Sequence, residues 1–191
     1  MTPTPENAQS GEVEEIERQF DTLERLYSEV FEACKKWNSG CKDKVREFKT
    51  EVENYARMVD KYIDKYCIGN FTTDCRMLKE NKTMLEDVAK VVEQYAVAVR
   101  VASEYDRSCV HDAFECAVKA RLLEGELQRL SKLAGKYIEK YCAEPDDEAV
   151  EHCLQMKELK ARSDILLIEA RRVVNMYRMG LLQRRSDSNT R

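Results

Sequence analysis

The chain has 191 residues, a formal net charge of -4, and 36% charged against 43% apolar residues. Six glycines and three prolines supply too few breakers for a sheet protein, and so mild a charge lacks the basic excess of a nucleic-acid binder. No apolar run is long enough to span a bilayer, so no membrane span is expected.

Residues 1–10 are polar and unpatterned, which predicts a tail, and Met1 to Gly11 lacks the apolar core of a signal peptide. A first helix is predicted over 11–36, where Val13, Ile16, Phe20, Leu23, Tyr27, Val30 and Cys34 return to one side. It is acidic: nine acids precede residue 35 against Arg18 and Arg25. Asn38-Ser39-Gly40 is a turn signal. Trp37, the only tryptophan, stands beside it as a candidate interface anchor, or else as a cap on the end of the core.

The second helix is predicted over 41–67. Cys41, Val45, Phe48, Val52, Tyr55, Val59, Tyr62 and Tyr66 alternate steps of four and three, a heptad seam. Ile68-Gly69-Asn70-Phe71 marks the next turn, with Thr72, Thr73 and Asp74 as N-cap candidates. Asn70-Phe71-Thr72 is also a glycosylation sequon, so Asn70 is the candidate glycan site of a glycoprotein. A second sequon at Asn81 falls on a helix beside apolar Leu78 and Leu85, where a glycan is not expected.

The third helix, 73–106, carries Met77, Met84, Val88, Val91, Tyr95 and Ala98, widened by Leu78, Leu85, Val92 and Val99. So broad a face predicts a central position. The fourth helix, 112–142, repeats the seam as Cys116, Ala120, Leu123, Leu127, Leu130, Ala134, Tyr137 and Tyr141. Pro145, Asp146 and Asp147 suit the start of a fifth helix over 146–184. Its apolar face is read as Met156, Leu159, Leu166, Leu167, Ala170, Val173, Val174, Tyr177 and Leu181. This end is basic, with nine Lys and Arg from 157 onward, and residues 186–191 read as a second tail.

The eight cysteines expose an internal repeat. Cys34, Cys41 and Cys67 recur 75 residues later as Cys109, Cys116 and Cys142, whereas Cys75 recurs as Cys153 after an offset of 78. Lys61-Tyr62-Ile63-Asp64-Lys65-Tyr66-Cys67 recurs as Lys136-Tyr137-Ile138-Glu139-Lys140-Tyr141-Cys142. The expected fold is all-α: an up-and-down bundle or layer of five long antiparallel helices from an internally duplicated helical-hairpin unit. It forms one domain over 11–185 with tandem repeats at about 11–75 and 86–153 sharing the helix 73–106. The shared long middle helix resembles a spectrin-like three-helix arrangement in architecture, and no function is carried across from it.

Each consecutive cysteine pair brackets one predicted turn. Facing positions on adjacent antiparallel helices meet the Cα spacing of a disulfide, roughly 4.4–6.8 Å. The favoured pairs are Cys34–Cys41, Cys67–Cys75, Cys109–Cys116 and Cys142–Cys153, with cross-repeat pairs such as Cys34–Cys109 also open. Eight reduced thiols buried in a cytosolic bundle are the competing reading.

Chemistry is sparse. His111 and His152 lie near Cys109 and Cys153, but no closely spaced Cys pair suggests zinc, and no third group orients a cysteine nucleophile. No cofactor and no enzyme are expected. The leading function is a secreted, disulfide-stapled binding or adhesion module whose partner is another protein or a cell-surface ligand. The alternatives are an extracellular carrier of an apolar ligand within the bundle, lined by seam tyrosines, and a cytosolic coiled-coil scaffold with free thiols.

Overall fold

A computed structural model describes residues 5–35, 38–68, 72–143 and 149–180. Among these residues the structure is five α-helices and no strand: α1 (Pro5–Ala33), α2 (Ser39–Tyr66), α3 (Thr73–Ser108), α4 (Ala113–Tyr141) and α5 (Ala149–Arg178). The chain divides into two compact units, Met1–Ala89 and Lys90–Arg191, with the boundary inside α3.

In the first unit, α1 runs antiparallel to α2: Gln9 bonds Tyr62, Gln19 bonds Glu51 and Lys44 bonds Glu29, so one number rises as the other falls. Between them lie Ile16, Leu23, Leu26, Tyr27, Val30, Phe48, Val52, Tyr55 and Val59, all buried. The early part of α3 joins α2 through Lys82, whose Nζ reaches the Asp60 carboxylate at 2.6 Å. Burial of side chains of this size stabilises by roughly 1.5–3 kcal/mol each before chain entropy is set against it.

In the second unit the later part of α3 runs antiparallel to α4, with Gln94 bonding Glu126 and Lys119 bonding Glu104. The α4 seam of Cys116, Ala120, Leu123, Leu127, Leu130, Ala134 and Tyr137 is buried. Against α4 lies α5, tied by Ser131 donating to Asp164 at 2.6 Å and by Arg171 donating to Glu124 at 3.1 Å.

Capping explains where helices start. The Asn38 side chain accepts from the Cys41 N–H at 2.9 Å, and Asp112 accepts from the N–H groups of Phe114 and Glu115. Thr72 accepts from the Cys75 N–H at 3.4 Å. Each satisfies a donor that the first helical turn leaves orphaned.

Three expectations are corrected, the first being Met77, which stands exposed on α3 rather than on its packed face. Residues 5–10, read as tail, belong to α1. Proline suits a first helical turn, and the Gln9–Tyr62 bond at 3.1 Å together with the Lys65–Glu12 pair at 2.6 Å holds this polar end against α2. On α5, Leu166 and Tyr177 are exposed rather than core. The buried line runs Cys153, Met156, Leu159, Ser163, Leu167, Ala170 and Val174. Ser163 occupies the position the apolar pattern left unfilled, its hydroxyl donating to the Leu159 carbonyl at 2.7 Å. Trp37, Asn70, Pro145, Asp146, Asp147, Leu181 and residues 1–4 and 186–191 lie outside the described residues.

Candidate functional site

Four disulfides close the four interhelical turns: Cys34–Cys41, Cys67–Cys75, Cys109–Cys116 and Cys142–Cys153, with Cα separations of 4.6, 6.0, 4.4 and 5.6 Å. No cysteine is free. Each bond joins the end of one helix to the start of the next, because antiparallel helices linked by a short turn bring those positions face to face. Each closed loop removes conformational freedom from the unfolded chain, roughly 2–3 kcal/mol per bridge in the chain-entropy view.

The bridges differ in exposure. Cys34 and Cys41 are fully buried, and Cys67, Cys75, Cys142 and Cys153 nearly so. Cys109 is exposed on the α3–α4 turn, and only its partner Cys116 is buried. With every sulfur bonded to sulfur, none remains as a thiolate ligand or nucleophile. His111 lies exposed on that same turn, and His152 is half-buried on α5. Burial pulls the His152 imidazole below its ordinary pKa, an effect that neighbouring Glu151 opposes. Among the described residues no group of three or more His, Cys, Asp or Glu is arranged to hold a metal ion.

Contacts recur with the cysteine offset. Gln19 donates to Glu51 at 2.7 Å and Gln94 to Glu126 at 2.8 Å. The Tyr62 and Tyr66 rings lie 4.9 Å apart, and those of Tyr137 and Tyr141 4.8 Å. Lys65 sits 4.7 Å over the Tyr66 ring and Lys140 4.8 Å over that of Tyr141, within cation–π range. Sequence reasoning read the tyrosines and missed the glutamine–glutamate pairs, although the same offset relates them.

Of the seam tyrosines, Tyr55, Tyr62 and Tyr137 are buried and Tyr66 and Tyr141 half-buried. Burial pushes the Tyr55 phenol up to about 12, against the opposing effect of its hydrogen bond with Asn81. That bond engages the Asn81 side chain, which is half-buried on α3. Tyr27 stacks edge-on against Phe31 at 4.9 Å and lies 6.2 Å from Phe48.

Carboxylates between helices are held in their charged form. Hydrogen bonding to Lys44 lowers Glu29, and Lys119 does the same for Glu104. Lys160 and then Ser131 lower Asp164. Burial raises Glu124, but Arg121 and Arg171 outweigh it and the net shift is downward.

Among the described residues, exposed apolar side chains concentrate in the second unit. On α4 they are Phe114 (62% exposed), Val118 and Leu122, and on α5 Leu154, Ile165, Leu166, Ile168 and, just past its end, Met179. The Phe114 ring lies 6.1 Å from that of Tyr177, linking the two helices. The positions 75 residues earlier than the α4 group are Ser39, Asp43 and Glu47, so the first unit is polar where the second is apolar. No family model, curated protein or solved structure matches the chain.

Proposed function

We propose that the protein is a secreted, disulfide-stapled helical module that binds another protein or a cell-surface ligand and carries out no catalysis. The observation that carries this reading is the set of four disulfides, one at every interhelical turn, with all eight cysteines consumed. Intrachain bonds of this density suit an oxidising, extracellular setting, since cytosolic reductants keep thiols free. No described helix is long and apolar enough to cross a membrane. The shared offset of cysteines and contacts supports a unit that arose by duplication and then diverged on its outer face.

Binding is favoured over ligand carriage because the seam tyrosines are engaged in packing and hydrogen bonds, while apolar side chains stand out on α4 and α5. Exposed apolar groups collected on one unit are the character a protein contact requires. Asn70 and Trp37 remain, respectively, the candidate glycan site and a candidate tip anchor.

The test is saturable binding of fluorescently labelled, oxidised protein to intact cells, compared with Phe114→Asp/Val118→Asp. Saturable binding that this double variant weakens at least tenfold supports the proposal. Absence of saturable binding, together with an apolar small molecule carried through native mass spectrometry, would replace it with the carrier reading.

A further inference from the structure

The α5 helix has two apolar lines, one on each side. One is the buried core line through Met156, Ser163, Leu167, Ala170 and Val174. The other stands opposite: Leu154, Ala161, Ile165, Ile168 and, just past the helix end, Met179, with charged Arg172 in the same register, all exposed. Its steps of seven, four, three, four and seven residues keep heptad register. A shallow open depression of about 670 Å³ lies along its last part, lined by Ile168, Arg171, Arg172, Asn175, Met176 and Met179. Heptad register on a solvent face is the pattern that receives the knobs of another helix.

Charge selects the occupant. Arg172 stands within this line and Glu169 beside it, both exposed; Glu169 also acts on the Tyr105 phenol of α3, and neither is in an ion pair among the described residues. Along the stripe itself exposed Lys157 and Arg172 are matched by exposed Glu158 and Glu169, so it lacks the one-sided basic excess that anionic lipid selects. The exposed side chains of α1 are charged and polar, so they supply no apolar knobs. A second α5 supplies both knobs and charges.

We propose that α5 pairs antiparallel with α5 of a second copy of the chain about a two-fold axis near Ala170. A parallel pair would set Arg172 against Arg172. The antiparallel pair instead lays Arg172 beside Glu169 of the partner subunit, and the symmetry makes this contact twice. It also sets small Ala161 opposite Met179 of the partner subunit, and Ile168 beside the stem of the partner's Arg172. This pairing takes up the α5 share of the exposed apolar side chains and leaves Phe114, Val118 and Leu122 on α4 for an outside ligand.

The test is sedimentation of the oxidised full chain over about 1–100 μM, a range that brackets modest helix-pair affinities. Wild type should dimerise. Arg172→Glu and Glu169→Arg should each weaken association at least tenfold, and the double swap Glu169→Arg/Arg172→Glu should restore it. Both positions are exposed, and unchanged helical circular dichroism in each variant would separate lost association from lost folding. Monomeric wild type across the range overturns the proposal, as does a dimer indifferent to the single swaps or a double swap that fails to restore pairing. Monomer that instead binds phosphatidylserine–phosphatidylcholine vesicles would assign the stripe to lipid and overturn it as well.

Discussion

Lys119 reaches Glu104 at 2.6 Å across α3 and α4, the distance at which Lys44 reaches Glu29 across α1 and α2. Each pair lies within a few turns of a disulfide, Cys109–Cys116 for one and Cys34–Cys41 for the other. A covalent bond at the turn and an ion pair further along fix the helix pairing at two heights, so neither sliding nor splaying is free. Exposed pairs of this kind add little stability by themselves, and their value here is in register.

Acid should loosen the fold in two stages. His152 has its pKa held below 6.5 by burial, so its neutral form is favoured in the folded state. Its contribution is complete above that value and is lost as pH falls towards the depressed folded-state pKa. The carboxylates of Glu29, Glu104, Glu124 and Asp164 are also lowered, so theirs is complete above about 4.5 and lost on further acidification. Urea unfolding between about pH 7 and pH 5 should show declining stability, and His152→Gln should flatten that decline. A slope unchanged by this substitution would remove His152 as its source.

The bridges should reduce in order. Cys109 alone is exposed, so limiting phosphine followed by alkylation should label Cys109 and Cys116 before any other pair. Peptide mass mapping reads the order. First labelling at fully buried Cys34 and Cys41 would contradict the burial pattern.

Core truncation should separate the two faces of α4. Leu130, 1% exposed on the seam, should cost about 2–5 kcal/mol when changed to Ala. Leu122, 51% exposed, should stay within about 0.5 kcal/mol. Chemical denaturation of the oxidised protein checks both.

The N-caps should each contribute measurably. Asp112 serves two N–H donors and Asn38 one, so replacing either by Ala should cost about 1 kcal/mol, with Asp112 the larger. Thermal unfolding of the two single variants decides the ranking.

Helices α2 and α4 were legible in the sequence because Cys41 to Tyr66 and Cys116 to Tyr141 each keep one unbroken apolar period. The disulfide pairs were legible because each consecutive pair flanks a turn. What escaped was carried by polar atoms. The start of α1 has no apolar period, and Gln9 and Glu12 hold it through contacts with Tyr62 and Lys65 that composition does not announce. On α5, Ser163 is buried through a bond to its own backbone, so a pattern built on apolar residues drew the line through Leu166 instead. The second stripe was present in the residues too. Ile165, Ile168 and Met179 were not included in the predicted core face, and their shared register emerges only once the core line is known.

Everything proposed about compartment and stapling rests on which sulfurs are joined. Non-reducing peptide mapping of protein from its native source measures this directly. The expected result is four bonds, 34–41, 67–75, 109–116 and 142–153, with no alkylatable thiol before reduction. Eight free thiols, or a bond between Cys34 and Cys109, would contradict it.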